Sequence, residues 1–527
     1  MKKGFTLIEL LAVIIILAII ALIATPIILN VVEDARISAG KSEAQMIYSG
    51  INNYCASSMM EEQLNGKDDI CADGVTTEEV SQMVNLGNAI VNKVTYSNGK
   101  VTELEVESNN HTFKLCGDGS FVMDEEECGV APDVPEEDYT DGSGANAPEL
   151  DTNMVPIKYD GSNWVYADTS EAWYNYDNKE WANAVVLNSG ITKNVGDTIT
   201  ESDIALWYVW IPRYKYQLFN ADNGSVAAQL INIEFESGTA STGTISCTDA
   251  IATSGSSSET CTNATNGNWY THPAFTFGDE EITGFWIGKF EVSGSTDTIT
   301  VKPNVSSLRS TTVSNFFTAI QNMKTTYGLS GDSHMIKNME WGAVAYLKQS
   351  KYGLGETDIG INNNSSYTTG CGATAGSEES STCEAYNTTN GMLASTTGNI
   401  YGVYDMSGGV WEYVMGNMVN SSGAFYASNS GFSSAPDTKY YDAYTYGTDY
   451  EDHGRGKLGD ATKETLSSFG SWDGGWYSDY ASFVSSSNSW FYRGGSRDSG
   501  SGAGVFIFNG SDGGGYGSYS SRAVLVP

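Results

Sequence analysis

Hydrophobic and polar positions along the chain fall into distinct regimes. Leu10 to Leu29 is a nearly continuous apolar run, about the 20 residues that span a bilayer as a helix. Lys2 and Lys3 precede it, which holds the short end inside and leaves everything after Asn30 outside. From Glu33 to about Ala56 the composition turns polar but stays helix-permissive, so the pattern predicts that the helix continues outward as a stalk. "NKVTYSNGKVTELEVE" then alternates about Asn98 and Gly99, which predicts a β-hairpin, and "HTFKLCGDGSFVM" reads as a further strand pair around a Gly-Asp-Gly turn. A long helix on a small antiparallel sheet is the product expected over residues 33–128.

Residues 129–150, "GVAPDVPEEDYTDGSGANAPEL", are acidic, rich in Pro and Gly and free of apolar periodicity, and read as a linker. Over 151–527 tryptophan becomes frequent, and short strands separated by long polar loops are expected, an α+β class with few helices. "GFWIGKFEV" alternates as a half-buried strand, and Trp341, Val344, Ala345 and Leu347 make one face of a helix beginning near Met339. The chain closes on "RGGSRDSGSGAGVFIFNGSDGGGYGSYSSRAVLVP", almost wholly Gly, Ser, Asp and Tyr threaded on a few apolar residues. Such a segment buries too little apolar area to stabilise itself, so it must lie on a scaffold as a displayed surface.

The formal net charge of -37 excludes nucleic acid as a partner, because phosphate binding needs a lysine and arginine footprint. Eight cysteines form four sequence-near couples, Cys55 with Cys71, Cys116 with Cys128, Cys247 with Cys261 and Cys371 with Cys383. None has zinc or redox spacing, and adjacent pairing is the simplest connectivity. Each bridge would be worth roughly 3 kcal/mol and implies an oxidising compartment. The last two couples lie in Ser/Thr/Gly-rich excursions, which read as loops that a disulfide keeps compact.

Glu9 sits at the edge of the apolar run, where a charge needs a partner, and no small-residue cleavage site follows the run. Gly4, Phe5, Thr6, Leu7, Ile8 and Glu9 resemble the leader junction of type IV prepilins, and Pro26 falls where pilins carry a kinking proline. The resemblance implies a leader over 1–4, cleavage between Gly4 and Phe5 by a prepilin peptidase, N-methylation of Phe5, and a membrane or filament helix over 5–32. It also implies that Glu9 neutralises the terminal amine of a neighbouring pilin subunit. The bulk of the chain is then outside the cell, on a single-pass membrane helix or in a pilus.

"GNIYGVYDMSGGVWEYVMGN", "WFYRGGS" and "SSRAVLV" resemble the formylglycine-generating-enzyme, or sulfatase-modifying-factor, superfamily, a variant of the C-type lectin fold. "YVWIPRYKYQL", the segment carrying Trp286, Lys289 and Glu291, and "KNMEWGAVAYLKQSKYG" fit its earlier landmarks, with structural roles expected for them. Copper-dependent chemistry in that family uses C-terminal cysteines, and this chain has none after Cys383. Iron-dependent relatives need a histidine cluster, whereas His111, His272, His334 and His453 are scattered, with His272 expected to be structural. No enzyme and no cofactor are therefore expected. The acidic domain leaves room for a structural calcium ion, although neither a calcium-binding helix-loop-helix sequence nor the motifs of calcium-dependent sugar lectins are present.

On a lectin-like scaffold, Tyr492 to Ser521 would form the ligand-facing surface. Its composition is that of an antibody paratope, rigid Tyr among adaptable Ser, Gly, Asn and Asp. Gly494, Gly495, Ala503, Gly504, Val505, Phe506, Phe508 and Arg522 read as framework, with Ile507 pointing away from both phenylalanines. The expected contact residues are Tyr492, Ser496, Arg497, Asp498, Ser499, Ser501, Ile507, Asn509, Ser511, Asp512, Tyr516, Ser518 and Tyr519. These residue types are reachable from an asparagine codon by changing its adenines, and no Lys, Glu, Gln, Met or Trp occurs between Tyr492 and Ser521. The pattern resembles the variable proteins of diversity-generating retroelements. The reading is a minor or tip pilin-like adhesin for an extracellular protein or glycan. Its alternatives are a structural pilin without ligand and a formylglycine-generating-like enzyme.

Overall fold

Ala44, Ile47, Ile51 and Cys55 recur at intervals of three and four residues, the spacing that puts side chains on one face of a helix. In the computed structural model they do so: the described residues between 36 and 58 are helical, and this stripe is buried. The structure describes residues 36–527 apart from 38, 53, 56, 59–69, 72–73, 88, 98–99, 117–120, 124–138, 223, 250–258 and 469–471. Gly4, Phe5, Glu9 and the apolar run from Leu10 to Leu29 lie outside the described residues. Among the described residues no helix is long and apolar enough to cross a membrane.

The chain divides into two compact units, 1–136 and 137–527, the break falling inside the stretch read as a linker. In the first unit the helical stripe shares a core with Leu104, Val106, Phe113 and Phe121. These come from a four-stranded antiparallel sheet in chain order, Ile90–Ser97, Lys100–Ser108, His111–Leu115 and Phe121–Met123. Ser97 pairs with Lys100, so two residues connect the first two strands, as the alternation about Asn98 and Gly99 predicts. A short helix, Thr77–Met83, starts where the Thr76 N–H and hydroxyl both donate to Glu79 Oε2, at 2.8 and 2.7 Å. Cys55 is bonded to Cys71. Cys116 is disulfide-bonded too, while its expected partner Cys128 lies outside the described residues.

The second unit is rich in β-structure, with several sheets and few helices. Its largest sheet has eight strands in the order Asp332–Met335, Ala523–Val526, Gly284–Gly288, Ile204–Pro212, Asn183–Leu187, Met154–Tyr159, Trp164–Tyr166, Thr198–Ile199. Ile204–Pro212 is buried at every position, which is why its sequence is a near-continuous apolar run rather than an alternation. Gly284–Gly288 is likewise buried throughout, because it lies between Ile204–Pro212 and Ala523–Val526; the expectation of a half-buried strand is corrected. The helix near Met339 spans Asn338–Lys348 and is buried on all sides rather than on one face. Its Trp341 indole N–H reaches the Val505 carbonyl at 2.8 Å.

A second helix, Val313–Tyr327, is capped by the Thr312 hydroxyl, and it stops where Gly328 takes φ +64°, a left-handed conformation that favours glycine. A second sheet holds Asp442–Tyr444, Trp411–Met418, Trp490–Gly494 and Gly504–Ser511 in that order, with Tyr519–Ser521 added parallel to Trp411–Met418. The C-terminal stretch thus runs through the second sheet and finishes inside the first. Cys247 and Cys261 face each other on a two-stranded ribbon and are bonded, as are Cys371 and Cys383.

Candidate ligand-binding surface

The glycine-rich end of the chain is an ordered sheet edge with loops. Gly494 and Gly495 turn the chain out of Trp490–Gly494 with φ of +84° and +90°. A Cβ at Gly495 would meet Ala503 at 2.7 Å, so the Gly-Gly step fixes how the loop 495–503 leaves the sheet. The chain returns as Gly504–Ser511, whose apolar residues face a solid interior: Phe506 packs on Trp476 with ring centroids 5.2 Å apart, and Phe508 on His453 at 5.5 Å. The outer edge of this strand is covered as well, since the Phe506 N–H donates to Asp479 and the Phe508 N–H to the Tyr480 carbonyl. Val505, Phe506, Ile507 and Phe508 are all buried.

What remains exposed on this frame forms two arms. In the loop 495–503, Asp498 and Ser501 are exposed, and Arg497 and Ser499 partly so. In the second arm, Tyr516 is 43% exposed, and Asn509, Asp512, Ser518 and Tyr519 are partly exposed. Tyr519 packs against Tyr516 at 5.4 Å, Tyr492 at 5.2 Å and Tyr413 at 4.8 Å, and Tyr492 stands edge-on to Trp411 at 4.8 Å. The second arm is pinned by Asp512, which accepts from the Tyr516 hydroxyl at 2.9 Å, the Gly514 N–H at 3.0 Å and Asn429 at 2.8 Å. Burial pushes that carboxyl up, but these hydrogen bonds outweigh it and hold it below the ordinary range.

The two arms meet around Tyr367. Two guanidinium groups lie over its ring, Arg309 at 3.9 Å and Arg497 at 4.0 Å from its centre. Arg309 donates to the Gly517 carbonyl at 2.7 Å, and Arg497 pairs with Glu379 at 3.3 Å. Tyr367 holds φ +57°, a conformation that costs a bulky residue about 1–3 kcal/mol and that clusters at ligand clamps.

Residues 1–25 match the family described as "Prokaryotic N-terminal methylation motif". The N-terminus is thus prepilin-like. No curated protein matches the chain. Among solved structures, the "Major Tropism Determinant M1 Variant" is similar at 12% identity and TM-score 0.25, covering 84% of this chain and 82% of that one. The "Major Tropism Determinant I1 Variant" is similar at 13% identity and TM-score 0.25, covering 83% and 80%. Likeness at this level sets neither a family nor a ligand.

Four of the expected contact residues are buried in the fold. Ile507 does point away from Phe506 and Phe508, but the face it points to is covered too, and its side chain is fully buried. Tyr492 is 8% exposed and serves as the wall behind Trp411 and Tyr519. Ser511 is turned inward to the Tyr413 hydroxyl at 2.8 Å, and Ser496 is closed off beneath the loop that its N–H and the Ser499 hydroxyl fasten at 3.0 Å. The surface also includes residues outside the expected set, Trp411, Arg309, Tyr367 and Asn429. The alternation in "VWEYV" carried a signal for Trp411 and Tyr413, which share one face while Glu412 takes the other; nothing local marks Arg309 or Tyr367.

Glu412 is the underside of this platform. It is fully buried and clamped by Arg522, whose Nε and Nη2 donate to its oxygens at 3.0 and 2.5 Å. Arg522 also donates to the Gly288 and Tyr404 carbonyls at 2.8 and 2.9 Å, tying both sheets together. Glu291 and Asp405 complete a buried acidic group. Burial pushes Glu412 up to about 7 against the pull of Arg522. Glu291 is raised further by burial and by the charges of Asp405 and Glu412. His272 is also structural: it accepts from the Ala274 N–H, faces the Gly459 carbonyl at 3.0 Å, and burial lowers it to about 3.

Among the described residues no group of three His, Cys, Asp or Glu side chains is placed to hold a metal ion. What the surface presents is aromatic area, hydroxyls, two carboxylates and two stacked arginines, the means for recognition of a partner.

Proposed function

We propose that this chain is a type IV pilin-like surface protein, a minor or tip subunit, whose lectin-like second unit is a non-enzymatic adhesin binding an external protein or glycan. The observation that carries the reading is the contrast along 495–519. Tyr, Ser, Asp and Arg side chains reach solvent from a frame whose Gly495, Gly504, Val505, Phe506 and Phe508 are closed, so contact residues can change without disturbing the fold. Tyr516, Tyr519 and Trp411 supply rigid amphipathic contact area, and Asp498, Ser501 and Ser518 supply adaptable hydrogen bonds. The prepilin-like N-terminus supports processing by a prepilin peptidase and assembly with other pilins, with Phe5 as the mature first residue and Glu9 as its neighbour's counter-charge. A second unit running from Glu137 to Pro527 would crowd a helical lattice, which favours a tip or minor position over the major subunit.

Adenine-directed diversification is part of the proposal. Deep sequencing of the 3′ end of the gene across a growing population, with a search of flanking DNA for an adenine-rich near-copy, tests it. Substitutions are expected at Asp498, Ser501, Asn509, Tyr516, Ser518 and Tyr519, with Phe506 and Phe508 constant. An invariant segment with no template nearby would leave an adhesin of fixed specificity.

A further inference from the structure

Beneath the ligand surface, Glu291 touches the anchors of both arms and of the stack where they meet. It is fully buried, and its Oε1 accepts from the Val410 N–H at 2.9 Å. The residues on either side of Val410 hold the arms: the Gly409 carbonyl accepts from the Arg497 N–H at 3.0 Å, and the Trp411 N–H donates to the Ser518 carbonyl at 3.0 Å. Gly409 has φ +67°, and a Cβ there would strike Glu291, so the chain passes directly over the carboxyl. Glu291 Oε2 meets the Ser307 hydroxyl, which also lies 3.2 Å from the Tyr367 carbonyl. The Ser307 N–H reaches that same carbonyl at 3.0 Å.

Proton counting gives this arrangement two states. A serine hydroxyl carries one hydrogen and cannot donate to a carboxylate and to the Tyr367 carbonyl at once. When Glu291 holds a proton on Oε2, it donates to Ser307 and frees the hydroxyl to donate to Tyr367. When Glu291 is ionised, the hydroxyl turns to the carboxylate and Tyr367 loses that bond. The charged groups facing Glu291 are the carboxyls of Asp405 and Glu412, with the Arg522 guanidinium beside them. Glu412 has that guanidinium, and Asp405 accepts from the Gly370 N–H at 2.9 Å and from Asn362 at 2.8 Å. Glu291 has no cation at hydrogen-bond distance among the described residues. Burial and its two acidic neighbours raise it well above the ordinary carboxyl range, so of the three it is placed to keep a proton.

We propose that Glu291 is a positioning residue of the ligand surface, its carboxyl proton fastening Tyr367 and with it Arg309, Arg497 and the two arms. This role rests on the reading of 495–519 as a binding face, yet it is tested without ligand, so its failure and a failure of adhesion are separate results. Hydrogen–deuterium exchange of the full chain in detergent, read by mass spectrometry at pH 5.5 and 8.5 and corrected for the chemical exchange rate, provides the test. Peptides holding the Ser307, Arg497 and Trp411 amides are expected to lose about fivefold in protection at the higher pH, the factor of one hydrogen bond, while Lys100–Ser108 in the first unit is unchanged. Glu291→Gln, whose amide nitrogen donates to Ser307 while its oxygen accepts from Val410, should keep full protection at both pH values. Ser307→Ala, which cuts the link to Tyr367, should show the lower protection at both, and it carries the test if Glu291→Gln does not fold. Equal protection at the two pH values in the native chain, or a drop that persists in either folded variant, overturns the proposal.

Discussion

Replacing Arg522 by methionine removes the only cation that faces Glu412 at hydrogen-bond distance among the described residues, and the consequence can be worked from the geometry. Arg522 and Glu412 are both fully buried. Two donors to the carboxylate are lost, along with those to the Gly288 and Tyr404 carbonyls. Breaking a buried pair from one side costs about 3–5 kcal/mol, because the surviving charge is left uncompensated. Two carbonyls without a donor add about 1 kcal/mol each. The single variant should therefore lose about 5–7 kcal/mol at pH 8.

The pH dependence identifies the cause. A carboxyl raised to about 7 in the fold, against 4.5 ordinarily, contributes its full share of stability below pH 4.5 and loses it as the pH climbs to 7. Removing the cation pushes Glu412 higher still, so at pH 5 it is neutral and the deficit of the variant should shrink to about half. Arg522→Met with Glu412→Met, an apolar pair of similar volume, should recover to within about 2 kcal/mol of the native protein. Urea unfolding at pH 5 and pH 8, followed by tryptophan fluorescence, measures all of this. A loss under about 1 kcal/mol, or one equal at the two pH values, would refute the reasoning.

Other outcomes follow from single sites. Gly504→Ala puts a Cβ 2.2 Å from the Asp479 carboxylate and should cost about 1–3 kcal/mol in the same unfolding assay. Tyr516→Ala, at a side chain 43% exposed, should change stability by less than about 0.5 kcal/mol while reducing adhesion to whatever surface the native protein binds. Replacing Cys371 and Cys383 by serine opens a loop with sequence separation 12 and should cost about 3 kcal/mol, read as a lower melting temperature without reductant. His334 is desolvated, but Glu340 and Asp332 outweigh that and raise it to about 8. Its share of stability is complete below pH 6.5 and is lost as the pH rises to 8, so His334→Gln should flatten the native profile across that window.

Several features were legible in the sequence because they depend on neighbours along the chain. Three of the local cysteine couples, Cys55 with Cys71, Cys247 with Cys261 and Cys371 with Cys383, the hairpin about Asn98 and the helix near Met339 rest on short-range spacing and periodicity. That the glycine-rich end needed a scaffold was also legible, from its poverty in apolar area. Which of its side chains reach solvent was not. Alternation assigns Ile507 to one face of a strand but cannot reveal that this face is buried, because the residues that cover a strand arrive from other segments, as Trp476 and Phe483 do over Phe506 and Phe508.

The same limit hid Arg309 and Tyr367, which meet Arg497 and Gly517 only after the chain has folded back across more than a hundred residues. It hid the pairing of Arg522 with Glu412 as well. By itself the sequence determined the local elements, the division of the chain and the chemistry on offer. The tertiary structure alone decided which of those groups stand together, since burial and charge pairing are set by distances in space and not by spacing along the chain.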